Sequence, residues 1–99
     1  MFYLKIHEIN GQKLIAICDK EILGKVIPHN GVKLKIREAF YGNIEYDADE
    51  VLQELKSFSQ LNVFGERIAK LMIEEKIVHP DVFLWIEFHG KKIGHAMIM

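Results

Sequence analysis

The alternation of apolar and polar residues is clearest at the start of the chain. Two segments typical of β-strands, 2–9 and 12–18, are separated only by Asn10-Gly11. A two-residue type I′ turn needs positive φ at both central positions, which Asn and Gly tolerate best. The turn fixes the register of the hairpin and predicts three cross-strand pairs: Leu4 with Ile17, Ile6 with Ile15, and Glu8 with Lys13.

A third strand is predicted over residues 32–37, where apolar and basic residues alternate strictly. After this strand, from Asp47 onward, the apolar residues have the spacing of helices. Asp47 and Glu50 have the pattern of a capping box, which begins a first helix with an apolar stripe of about three turns. Asn62 is the expected cap of a second helix that extends to about Lys76. The middle of the chain is therefore predicted to form one strand and then two helices.

Two apolar segments near the end of the sequence, 82–88 and 93–99, predict a second hairpin around residues 89–92. Pairing outward from this loop gives Phe88 opposite Ile93, Ile86 opposite His95 and Trp85 opposite Ala96. Both faces of the hairpin are then apolar, so the second face needs a cover. Three explanations are open: the hairpin curls into the protein's own core, it is a central strand pair, or it forms a subunit interface through Phe83, Trp85 and Ile98.

The pattern as a whole predicts one α+β domain over residues 1–99, because no Pro-, Gly- or Ser-rich linker divides it. We expect a two-layer sandwich. Its mainly antiparallel sheet would contain the N-terminal hairpin, the middle strand and the C-terminal hairpin, and two helices would cover one side.

Composition and charge narrow the choice of partners. Hydrophobic residues make up 49% of the chain and charged residues 27%, which is typical of a folded protein. A net charge of −1 argues against nucleic-acid binding by the whole surface, so any such binding must be local. Cys18 is the only cysteine, and no signal peptide or membrane span is recognisable. We therefore expect a cytoplasmic protein without a membrane partner.

Several short motifs together resemble a small archaeal family known as domain of unknown function 424. They are Cys18-Asp19, Leu23-Gly24-Lys25, Phe40-Tyr41-Gly42, the run from Asn62 to Arg67, and Gly94-His95-Ala96. The resemblance covers nearly the full chain, and the Asn-x-x-Gly-Glu-Arg run is its most specific part. It implies a two-layer α/β sandwich in an archaeal cytoplasm and an association with translation or ribonucleoprotein machinery. It implies no reaction.

Two groups of residues could bind an anion or RNA. Lys33, Lys35 and Arg37 share one face of the predicted middle strand and could follow a phosphate backbone. The alternative is a solvated face, balanced in part by the acidic residues between 45 and 54. Gly65, Glu66 and Arg67 lie near the expected start of the second helix, where free N–H groups and a guanidinium would suit an anion. The alternative is a glycine that lets two helices pack closely.

Catalytic and metal chemistry find little support in the sequence. Cys18 would need a base such as His95 within reach, and a buried structural cysteine is the other interpretation. The five histidines have no zinc-binding spacing, and no motif implies a cofactor. We therefore predict a non-enzymatic binding module for RNA or a ribonucleoprotein. The alternatives are a homodimer formed through the C-terminal hairpin and a small enzyme that uses Cys18.

Overall fold

The computed structural model describes residues 1–99, and its largest feature is a six-stranded sheet. The strands are β1 (Phe2–Ile9), β2 (Gln12–Asp19), β3 (Val26–His29), β4 (Val32–Lys35), β5 (Glu45–Tyr46), β6 (Gln60–Gly65), β7 (Leu84–Phe88) and β8 (Lys91–Ile98). The helices are α1 (Glu38–Tyr41), α2 (Ala48–Glu54) and α3 (Glu66–Glu74), with short 3₁₀ turns at Lys20–Ile22 and Pro80–Val82. The longest helix has nine residues, which is too few to cross a membrane.

The main sheet has the strand order β5-β1-β2-β6-β8-β7, and only β2 and β6 run parallel. The predicted N-terminal hairpin is confirmed in position and register, with Leu4 opposite Ile17 and Glu8 opposite Lys13. Its turn has positive φ at both central residues. This hairpin could be predicted because a local turn sets its register.

The second helix was predicted to begin after Asn62, but it begins later in the structure. Residues 60–65 form the central strand β6, and the helix starts only at Glu66. Because β6 is covered on both faces, residues 61–65 are all buried and lack the alternation of a half-exposed strand, so their pattern does not distinguish a buried strand from a buried helix. Asn62 therefore caps no helix. It lies within the strand and its side chain accepts a hydrogen bond from the hydroxyl of Tyr41 at 2.8 Å.

The middle strand does not join the main sheet, which is a further correction. Residues 32–35 form β4, and β4 pairs only with β3 through a turn at Asn30-Gly31. The β3–β4 hairpin and α1 pack on one face of the main sheet through Ile27, Ile36 and Tyr41. Helices α2 and α3 cover the opposite face. The fold is thus a mixed, sheet-dominated one with both faces of the sheet covered, and the two-layer arrangement is not confirmed.

The first predicted helix is present as α2 with its capping box, but its seven residues make only about two turns instead of the predicted three. The backbone N–H of Glu50 donates to Asp47 Oδ1 at 2.8 Å, and the N–H of Asp47 donates to Glu50 Oε1 at 2.9 Å. Val51 and Leu55 from its apolar stripe are buried in the core.

The C-terminal hairpin is confirmed, but its predicted register is wrong by two residues. The turn uses only His89 and Gly90, both at positive φ, so that Ile86 faces Ile93 and Leu84 faces His95. Both faces of this hairpin are apolar because both faces of the main sheet are covered. Phe83 and Ala96 pack under the helices, while Ile86 and Ile93 pack under the β3–β4 layer.

Candidate nucleic-acid interface

The outer surface of the β3–β4 hairpin carries a row of three cations. Lys33, Lys35 and Arg37 are exposed, and they alternate with Leu34 and Ile36, which face the core. Backbone hydrogen bonds extend the ladder beyond β4: Ile36 N–H donates to Lys25 O at 3.0 Å, and Gly24 N–H donates to Ile36 O at 2.7 Å. The extended backbone thus continues to Arg37, and the three side chains share one face, which we call the cationic face.

Charge is divided unevenly between the β3–β4 layer, residues 24–37, and the rest of the protein. Residues 24–37 contain four cations, those of Lys25 and the cationic face, and no carboxylate, giving +4. Because the whole chain carries −1, all other residues together carry −5. None of the three cations of the cationic face forms an ion pair. Two carboxylates of the acidic run pair elsewhere, Glu45 with Lys20 and Glu54 with Lys13. The nearby acidic run therefore does not neutralise the cationic face through these contacts.

Gly65, Glu66 and Arg67 lie at the start of α3, where a carboxylate of the same chain already binds backbone N–H groups. The Asp19 carboxylate accepts hydrogen bonds from the backbone N–H groups of Arg67 at 2.8 Å and Ile68 at 2.9 Å. Gly65 has a φ of 154°, and a Cβ at this position would overlap that carboxylate. Burial raises the pKa of Asp19, while these hydrogen bonds oppose the rise.

The guanidinium of Arg67 is held by neighbouring groups of the same chain. Its Nε and one terminal nitrogen bind the two carboxylate oxygens of Glu21 at 2.8 and 2.6 Å. The terminal nitrogen also donates to the carbonyl of Met1, and the guanidinium lies 4.7 Å from the centre of the Phe2 ring. This pairing lowers the pKa of Glu21 to about 2. Arg67 therefore anchors the N-terminal strand, which its position in the sequence did not reveal.

Cys18 and His95 are not placed for nucleophilic catalysis. Phe64 of β6 lies between them, since it is opposite Cys18 on one side and opposite His95 on the other. Two strand spacings separate their backbones by about 10 Å, and the His95 ring stacks on Phe64 with 4.4 Å between centres. Cys18 is fully buried, which raises its thiol pKa to about 12. No three His, Cys, Asp or Glu side chains converge as a metal site.

The three residues predicted at a subunit interface have different environments. Phe83 is buried, and Ile98 is partly buried against the core under the helices. Trp85 is 40% exposed on β7, the edge strand of the main sheet, and Leu84 and Val82 beside it are also exposed. The sequence pattern missed Leu84 and Val82 because it does not indicate which strand is at the edge.

A cavity of about 200 Å³ opens next to α1. Its walls are mainly apolar, and its lining includes Leu14, Phe40, Asn62, Met97 and Met99. Sequence reasoning missed it, since it assigned Asn62 to a helix cap and predicted no helix at residues 38–41.

One comparison with a solved structure supports the fold, and none of the comparisons supplies an activity. A family model described as "Protein of unknown function (DUF424)" matches residues 7–96. Among solved structures, one similar chain is described as "Crystal structure of an uncharacterized conserved protein from Methanopyrus kandleri". It is 24% identical, with a TM-score of 0.70, and the match covers 98% of this chain and 89% of that one. No curated protein matches the chain.

Proposed function

Because this chain belongs to the DUF424 family, whose description assigns no activity, we propose a function from its surface: it is a non-enzymatic module that binds RNA through the cationic face. The role fits an accessory protein of ribonucleoprotein particles in the cytoplasm. Its single cysteine is free and buried, as suits a reducing compartment.

One observation carries this proposal: three exposed cations without ion-pair partners lie in line on a layer that contains no carboxylate. Side chains two residues apart on a strand are about 6.6 Å apart, a spacing comparable with that of successive phosphates in an extended single strand. Unpaired cations retain their full hydration and release counterions from a polyanion when they bind it. The rest of the surface is net acidic, so a polyanion is directed to this face.

The experiment compares two triple variants that remove the same charge. Lys33→Ala/Lys35→Ala/Arg37→Ala removes the cationic face. Lys56→Ala/Lys70→Ala/Lys76→Ala removes three exposed cations that also lack ion pairs, on or directly after helices α2 and α3. Fluorescence anisotropy with a labelled single-stranded RNA then measures binding at several KCl concentrations between about 50 and 200 mM.

For wild type we expect a slope of log K against log salt near −2, since each phosphate contact on a single strand contributes about −0.7. The cationic-face variant should lose most of the affinity and of the salt dependence, while the control variant keeps both. Equal losses in the two variants would show only the effect of net charge and would refute the proposal. Absence of RNA binding by wild type at low salt would refute it as well.

Self-association through β7 is a second candidate, favoured by the exposed Trp85 on an edge strand. An edge strand with apolar side chains offers unpaired backbone groups to a second copy. Light scattering over a wide range of protein concentration tests it. A dimer that Trp85→Glu disrupts, and that Ile44→Glu at another exposed apolar position leaves intact, would support this candidate. A monomer at every concentration would refute it.

A further inference from the structure

The side chain of Asn62 presents an unused hydrogen-bond donor. Only 9% of this residue is exposed, and its Oδ1 accepts the hydroxyl hydrogen of Tyr41 at 2.8 Å. Its Nδ2 makes no hydrogen bond within the chain, and no fully enclosed side-chain atom lacks a partner. The amide group therefore opens to the cavity that Asn62 lines. Because Nδ2 has no partner within the chain and is not fully enclosed, it is free to donate to a ligand acceptor or to water.

The volume and the lining of the cavity suit a small ring. Its volume is about 200 Å³, and an aromatic side chain, Phe40, lies in its lining beside Leu14 and Met97. Met97 is 68% exposed at the opening, and a thioether side chain adapts easily to an incoming ring. An apolar cavity with one directed donor is the usual composition of a site that binds a small ring system and fixes its orientation.

The cavity is joined to the cationic face by one turn of backbone. Arg37, the last residue of that face, is also the residue that precedes α1, and its carbonyl accepts a hydrogen bond from the N–H of Phe40 at 3.1 Å. An RNA strand whose phosphates contact the cationic face therefore passes close to the opening of the cavity beside Phe40.

We infer that this cavity receives one unpaired base of the bound RNA, with a base carbonyl accepting a hydrogen bond from Asn62 Nδ2 and the ring packing against Phe40 and Met97. This inference rests on the proposed function. It adds a contact to the base itself, whereas the cationic face contacts only phosphates and carries no information about the base. It also predicts a preference for single strands, because a paired base is not free to enter.

Two variants separate the donor from the shape of the cavity. Asn62→Asp keeps an oxygen to accept the Tyr41 hydroxyl and replaces the NH₂ donor by an oxygen that repels a carbonyl. Met97→Trp fills the opening at a position that is already exposed, and Ile44→Trp is its control at an exposed position outside the cavity lining. Circular dichroism and urea unfolding confirm that each variant is folded.

The probes are an oligouridylate octamer and an octamer of the same sugar-phosphate backbone without bases. We expect wild type to bind the abasic octamer about tenfold more weakly, the scale of one lost base contact. Asn62→Asp should weaken octauridylate to a similar extent and add little further loss for the abasic octamer, so that the two changes are not additive. Met97→Trp should act in the same way and Ile44→Trp should not. In ¹⁵N NMR spectra, the side-chain amide of Asn62 should shift with octauridylate only.

The outcomes also distinguish this inference from the proposed function. If both octamers bind equally well and both are weakened by the cationic-face variant, the base site is refuted and phosphate binding stands. If Asn62→Asp weakens both octamers by the same factor, its effect is one of charge alone and the base site is refuted. If wild type binds neither octamer, both proposals fall.

Discussion

Asp19 Oδ1 accepts a hydrogen bond of 2.9 Å from the backbone N–H of Ile68, a residue 49 positions later in the chain. A carboxylate at the end of one strand thus caps a helix that follows another strand. The cap comes from a distant residue because β2 and β6 are parallel neighbours and their carboxyl ends meet at the same edge of the sheet. Free N–H groups at the start of α3 are in this way satisfied within the protein.

Replacement of this cap should destabilise the protein. Asp19→Asn is nearly isosteric, but it places an NH₂ group against one of the two backbone donors, at a cost of about 1–3 kcal/mol in the free energy of unfolding. Urea denaturation measures the loss. Asp49→Asn, at an exposed position in the first turn of α2 where the side chain makes no hydrogen bond, should change stability by less than about 0.5 kcal/mol. Equal effects of the two changes would contradict the capping role.

Gly65→Ala should reduce the free energy of unfolding by more than the same substitution at a glycine that has only a positive φ. Gly65 combines a φ of 154° with overlap between the new Cβ and the Asp19 carboxylate, so we expect a loss of more than about 2 kcal/mol. Gly24→Ala is the matched control, because Gly24 has a φ of 84° and nothing within 4 Å of the new Cβ. Unfolding free energies that are equally reduced would show that backbone strain alone matters at Gly65.

The pair between Glu21 and Arg67 should contribute to stability in a pH-dependent way. The folded-state pKa of Glu21 is about 2, below the usual glutamate value of 4.5, so its contribution is present above pH 4.5 and is lost as pH falls towards 2. The comparison is wild type against Glu21→Gln, since Asp19 titrates in both proteins. At neutral pH wild type should be more stable by less than about 1 kcal/mol, because the pair is partly exposed to solvent. A difference that grows on acidification would contradict this assignment.

Cys18 should resist thiol reagents while the protein is folded. Its side chain is fully buried and its thiol pKa is about 12, so almost no thiolate is present at neutral pH. With an aromatic disulfide reagent at neutral pH, we expect slow release of the coloured thiol from the native protein and rapid release in concentrated urea. Rapid reaction of the native protein would instead return Cys18 to consideration as a nucleophile.

Sequence patterns predicted the parts of the fold that short-range chemistry determines. Asn10-Gly11 sets the register of its hairpin, and Asp47 with Glu50 starts α2. They did not predict β6, because a strand covered on both faces loses its alternation. They also could not reveal that β4 lies outside the main sheet, since alternation identifies a half-buried strand but not the strand with which it pairs.

In the candidate site too, the parts set by local sequence could be predicted and the parts set by the tertiary fold could not. The common face of Lys33, Lys35 and Arg37 could be predicted because a strand places alternate residues on one side. The pairing of Arg67 with Glu21 could not, because it depends on which strand ends meet in three dimensions. The amide of Asn62 was missed for a related reason: its role follows from its place in the central strand, and its sequence neighbours indicated a helix cap.

The central position of β6 also decides the order in which the chain can assemble. Each terminal hairpin closes between sequence neighbours, on a timescale of microseconds for such local turns. β6 pairs with β2 on one side and β8 on the other, and it alone joins the two hairpins into a single sheet. Residue 14 meets residue 60 only after a long loop has been closed, a step that slows folding. The insertion of β6 is therefore the event that commits the polypeptide to its native topology, and a nascent chain that ends before residue 60 has no partner for the inner edge of β2.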